Sequence, residues 1–185
     1  MSAAIIAVIV VVVVLVVAAA VLFPQAGGRR ARLRRKYGPE YDRLAERGDA
    51  RAAEQELEER EQARRELKLR RLAEPEQARL KQAWSSVEEH FVDDPRQAAE
   101  QADQMIGRVL TELGYPEGDT DRQLALASVD HPQAVFAYRT AHELAGSGDT
   151  EALRRAMLGF RGFFGELVGT RRAESAQRPA LAQRR

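Results

Sequence analysis

From Ala3 to Phe23 the chain runs through 21 consecutive apolar residues, and the RRARLRRK segment at 29–36 then places six cations in eight positions. At a rise of about 1.5 Å per residue, a helix of that length crosses the roughly 30 Å hydrocarbon core of a bilayer. The basic collar, Arg29, Arg30, Arg32, Arg34, Arg35 and Lys36, is the kind of cluster that stays on the cytoplasmic side. The expectation is a single-pass cell-membrane protein with its N-terminus outside and the rest of the chain cytoplasmic. Its lipid contacts would be the bilayer core through residues 3–23 and anionic headgroups through the collar, at about 1 kcal/mol per cation near the surface. A cleaved secretory signal is the competing reading, with Ala18-Ala19-Ala20 or Gln25-Ala26-Gly27 as the site. It fits less well, because no cation precedes the run and the run exceeds the usual signal core.

Charge is distributed unevenly along the chain. The overall balance is +1; setting aside six collar cations and the +4 of Arg171–Arg185 leaves the body from Tyr37 to Thr170 at −9. An acidic body argues against nucleic acid as the partner of the folded part, since phosphate binding needs a basic face. Cysteine is absent, which removes disulfides, thiolate chemistry and Cys-based zinc sites.

Past the collar the pattern is helical. Gly38-Pro39 opens a short helix through Glu46, and Gly48 ends it. Asp49 then caps a run expected to stay helical from Ala50 to Leu72. Of the 22 residues from Arg51 to Leu72, 13 are charged, with Glu56/Arg60, Glu61/Arg65 and Glu66/Arg70 in the favourable i,i+4 order. Leu57, Leu67, Leu69 and Leu72 hold no heptad, so this run is expected to be a solvated stalk.

Apolar stripes begin after Glu74-Pro75. Leu80, Trp84, Val87 and Phe91 form one, and Asp94-Pro95 caps a helix carrying Ala98, Ala102, Met105, Ile106, Val109 and Leu113 up to Gly114. A short helix with Leu124 and Leu126 follows, then one from Asp130-His131-Pro132 with Val135, Phe136, Tyr138, Ala141 and Leu144. Asp149-Thr150 caps the last, which carries Leu153, Met157, Phe160, Phe163, Phe164, Leu167 and Val168. The expected fold class is all-α. It divides into an anchor at 1–28, the collar at 29–36, a charged stalk at 37–73, a compact bundle of four or five short helices at 74–169, and a disordered basic tail at 170–185.

The segments KYGPEYDRLAERGD, FVDDPRQAAEQAD, the GYP turn and DHP…VFAYRTAH resemble a family of uncharacterised bacterial proteins from high-GC Gram-positive lineages. The resemblance covers most of Arg34–Leu167 and rests mainly on caps and turns. It implies one N-terminal membrane helix followed by a helical soluble domain, and it implies no activity.

Chemistry-bearing patterns are sparse. His90, His131 and His142 lack the i,i+4 spacing of helical metal ligands, and HExxH, GxSxG and phosphate-binding glycine loops are missing. No catalytic residue, metal or cofactor is assigned. Tyr138 and His142 lie i,i+4 with Arg139 between them; they either line a groove or form a buried Tyr–His hydrogen bond with Arg139 solvated. Gly162, Gly165 and Gly169 lie about one turn apart and leave a flat strip for another helix, either within the domain or on a partner. Phe160, Phe163 and Phe164 are expected to flank that strip. The candidate interaction surface is therefore Tyr138, Arg139, His142, Gly162, Gly165 and Gly169. The function these features favour is a non-enzymatic protein-interaction or scaffold module at the cytoplasmic face of the membrane, with an unidentified protein partner. The alternative is an exported or membrane-tethered small-ligand-binding domain or enzyme. The Arg-rich tail either touches the membrane or the acidic body, or stays solvated.

Overall fold

The computed structural model describes residues 11–13 and 28–169, and the regular structure among them is all helical. Two units divide the chain between Glu54 and Gln55.

The first unit contains a helical stretch at 28–37 (α1), helix α2 (Pro39–Arg47) and the start of α3 (Ala50–Glu66). Gly38 interrupts the first two with φ +52°, a conformation glycine adopts without strain, and Pro39 then fits the first helical position. Leu33, Tyr37, Tyr41 and Leu44 are buried at spacings of four, four and three, so one apolar stripe continues through the break. Glu40 is fully buried and its carboxylate accepts two hydrogen bonds from Arg43, at 2.7 and 3.0 Å. The collar is the outward face of α1: Arg34 lies 3.2 Å from Asp42, and the Lys36 ammonium sits 4.9 Å from the Tyr37 ring centre. Asp49 caps α3 by accepting from the Ala52 amide at 2.7 Å.

The second unit holds the rest of α3 and helices α4 (Glu74–His90), α5 (Pro95–Leu113), α6 (Thr120–Ala127), α7 (Pro132–Ala145) and α8 (Thr150–Gly169). The starts of α5, α6 and α8 are set by aspartates. Asp94, Asp119 and Asp149 accept from the amides of Gln97, Arg122 and Ala152 at 2.9 to 3.0 Å. Glu76 reaches back to the Ala73 amide at 2.7 Å and fixes the start of α4. α8 packs most extensively on α7 and next on α5. Its stripe of Leu153, Met157, Phe160, Phe163, Phe164 and Leu167 meets Trp84, Val87, Ile106, Val109, Leu110 and Val135 in one core.

Several expectations are corrected. Among the described residues no helix is long and apolar enough to cross a membrane, which overturns the single-pass membrane localisation with a cytoplasmic domain. The longest of these helices, α8 with 20 residues, carries Glu151, Arg154, Arg155, Arg161 and Glu166, and its apolar residues form one buried stripe rather than an apolar cylinder. The expected bilayer segment 3–23 lies outside the described residues except for Val11–Val13, which are helical and exposed; the tail from 170 onward also lies outside them.

The expected helix from Ala50 to Leu72 stops at Glu66. Residues 67–73 run without helix past the C-terminus of α5, where the Arg70 amide donates to the Leu113 carbonyl at 3.0 Å and Leu67 and Leu69 pack on the core. Gly114 makes this passage possible. Its φ is +98°, and a Cβ there would lie 3.2 Å from the Lys68 carbonyl oxygen. The end of α3 is tied down as well: Arg60, almost fully buried, donates to Ser128 at 3.3 Å and pairs with Glu56, while Arg64 pairs with Asp130.

Candidate interaction surface

The expected surface separates into two places with different chemistry. The first is on α7. Tyr138 is buried, with its ring 5.4 Å from that of Phe160 and 5.5 Å from that of Phe163. Its hydroxyl donates to Asp103 on α5, and the same carboxylate oxygen lies 3.4 Å from Nδ1 of the exposed His142. Burial, followed by the hydrogen bond to Asp103 and that residue's charge, pushes the Tyr138 phenol far above the usual tyrosine range. The partner of the hydroxyl is thus Asp103 and not His142, whose ring lies 6.1 Å away and nearly parallel. Arg139 is tethered to Asp121 at 3.1 Å. The ring of Tyr138 fills core space and its hydroxyl is committed, so this cluster reads as a clasp between α5 and α7.

Asp103 went unassigned in the sequence because its partner lies on another helix. The available signal was its position between buried Ala99, Ala102 and Ile106, a carboxylate on the margin of an apolar stripe.

The other two histidines have polar protein partners as well. His90 Nε2 lies 2.6 Å from the Gln97 side-chain oxygen, and His131 Nδ1 lies 2.9 Å from Glu166 on α8. Among the described residues no group of three His, Cys, Asp or Glu side chains is arranged to hold a metal ion.

The second place is α8. Four of its glycines divide into two roles. Gly159 faces α7: a Cβ there would lie 2.7 Å from the Ala141 Cβ and 3.0 Å from the Ala137 carbonyl oxygen, so this glycine sets the close crossing of the two helices. Gly162, Gly165 and Gly169 are exposed, with nothing within 4 Å of a Cβ at any of them. A shallow open depression runs along them, lined by Leu158, Arg161, Gly162, Gly165, Glu166 and Gly169, all from α8. None of Tyr138, Arg139 and His142 contributes to it.

The floor of this depression is bare helix backbone, and Leu158 stands at one end with 55% of its surface exposed. Arg161 and Glu166 border it and are anchored on opposite sides, Arg161 3.5 Å from Glu88 of α4 and Glu166 against His131. Phe160, Phe163 and Phe164, expected to border the strip, all point inward; Phe164 stacks on Trp84 with ring centres 4.4 Å apart.

Comparison of the chain with protein-family models, with curated proteins and with solved structures gave no match.

Proposed function

We propose that the second unit is a protein-interaction module whose docking surface is the exposed face of α8. The observation that carries this reading is the division among the α8 glycines. Each glycine in a helix interior destabilises it by about 1 kcal/mol relative to alanine. Gly159 offsets that loss by admitting α7 at close range, whereas Gly162 and Gly165 meet nothing within the domain. A bare backbone strip with an exposed leucine at its end is the surface another helix packs against closely. The charged α3 segment, held to the bundle through Arg60 and Arg64, leaves this face open and fits a scaffold role better than that of a free stalk. The Tyr138, Arg139 and His142 group supports the module by holding α7 to α5 and to Asp121.

The test is site-specific photo-crosslinking of the full-length chain in cells of its source. A benzophenone residue at Leu158 is expected to yield discrete protein adducts. The same probe at Gln104, exposed on α5, is expected to yield none. Equal yields from both positions would refute the assignment of the surface.

A further inference from the structure

The six cations of α1 are all exposed, but they divide into two sets. Arg29 lies 3.9 Å from Glu54, Arg34 lies 3.2 Å from Asp42, and the Lys36 ammonium sits over the Tyr37 ring. Arg30, Arg32 and Arg35 enter no ion pair or hydrogen bond among the described residues. Their rotational positions explain part of this division. Leu33 and Tyr37 mark the buried side of α1. At about 100° per residue, Arg35 stands directly opposite their midpoint and Arg32 lies one turn away on the same outward side. Gly28 and Ala31 fall beside them, so two guanidinium groups project from a convex face with no bulky side chain between them.

Unpaired, exposed guanidinium groups on a convex helix face suit a surface that presents phosphates side by side. Two macromolecular surfaces do so, a nucleic acid and an anionic bilayer. The RRARLRRK segment carries no Asn, Gln, Ser or Thr with which to read bases. The first unit also exposes Val11, Val12 and Val13, which gain nothing from a phosphate backbone but lose water on entering a bilayer interface.

We infer that the outward face of α1 docks on the headgroups of an anionic bilayer, with Arg32 and Arg35 as its principal contacts. The contact is peripheral, with α1 lying along the surface, and it calls for no helix that crosses the bilayer. It is independent of the α8 face: the Leu158 crosslinks stand or fall without it.

The test distributes the full-length chain, diluted from detergent, between two vesicle populations in one tube. Sucrose-loaded vesicles of phosphatidylcholine with 30% phosphatidylglycerol sediment, and buoyant phosphatidylcholine vesicles do not. Apolar residues bind both populations, so their contribution drops out of the ratio between pellet and supernatant. The wild-type chain is expected to favour the anionic vesicles by at least about 25-fold, or about fivefold for each of the two arginines. Arg32→Gln/Arg35→Gln is expected to remove most of that preference. Arg29→Gln/Arg34→Gln is expected to lower it less than about fivefold, and Arg32→Lys/Arg35→Lys to keep it within about threefold of wild type. All four positions are exposed, and helical circular dichroism checks that each variant is folded. A wild-type ratio near one overturns the inference, as do equal losses from the two glutamine pairs. Duplex DNA at equal phosphate concentration that takes the chain from the vesicles would assign the face to nucleic acid and overturn it too.

Discussion

Tyr138 on α7 donates its phenolic hydrogen to Asp103 on α5, joining two helices through residues 35 apart in sequence. The ring stands on Phe160 and Phe163 of α8, so one side chain fastens three helices. Replacing Tyr138 with Phe keeps the ring contacts and strips the half-buried carboxylate of its donor. The expected loss is about 1–2 kcal/mol of unfolding free energy by urea denaturation. Asp103→Asn retains an acceptor and is expected to lose less.

The same contact fixes a response to alkali. The folded chain holds the Tyr138 proton more tightly than the unfolded chain, because burial and Asp103 both disfavour phenolate. That stabilisation is complete below the ordinary tyrosine pKa of about 10 and is lost as pH rises above it. Stability of the wild-type chain is expected to fall more steeply above about pH 10 than that of Tyr138→Phe. Parallel curves would show that the phenol ionises freely in the fold.

At the start of α8, Glu151 accepts from Arg154 at 2.9 Å and from Arg155 at 3.3 Å, and Arg154 foremost holds its carboxyl down to about 2. Its contribution to stability is present above the ordinary glutamate pKa of about 4.3 and is lost as pH falls toward 2. The group is exposed at the surface, so salt screens the effect. A carboxyl NMR titration is expected to give a midpoint near 2 in dilute buffer and a value nearer the ordinary one in about 1 M salt.

Arg60 and Arg65 lie on the same charged helix in opposite situations. Arg60 is almost fully buried and donates to Ser128, itself fully buried, while Arg65 is exposed. Arg60→Ala is expected to cost about 1–2 kcal/mol, through the lost hydrogen bonds and the lost packing of its stem. Arg65→Ala is expected to stay within about 0.5 kcal/mol of wild type. Urea denaturation of the two variants separates a docked helix from a free one.

What could be read from the residues and what could not follows from the range of each interaction. The aspartate caps before Gln97, Arg122 and Ala152 act over three residues, and the stripe of Leu80, Trp84 and Val87 needs only helical spacing; both are local and legible. The end of α3 was also written locally, in Leu67-Lys68-Leu69-Arg70. Two leucines two positions apart cannot share a helix face, but the strong i,i+4 charge pairing upstream masked that alternation. Arg70 in fact pairs with Glu76 rather than Glu66. Asp103 as the partner of Tyr138, and Gly159 rather than Gly162 as the contact to α7, depend on how neighbouring helices are rotated. Periodicity orders the faces of one helix without saying which neighbour each face meets.

The most direct test of the α8 face is the stability of single glycine-to-alanine variants, followed by Trp84 fluorescence during urea denaturation at dilute concentration. At Gly162 and Gly165 a methyl group enters open space on an ordinary helix, and each variant is expected to be more stable than wild type by about 0.5–1 kcal/mol. At Gly159 it meets Ala141 and the Ala137 carbonyl, and the expected change is a loss of about 1–3 kcal/mol. That pattern would show that Gly162 and Gly165 weaken the isolated fold and are not needed to build it, as an interaction surface requires. A loss of stability at Gly162 and Gly165 comparable to that at Gly159 would contradict the account, because those glycines would then be required by the fold itself.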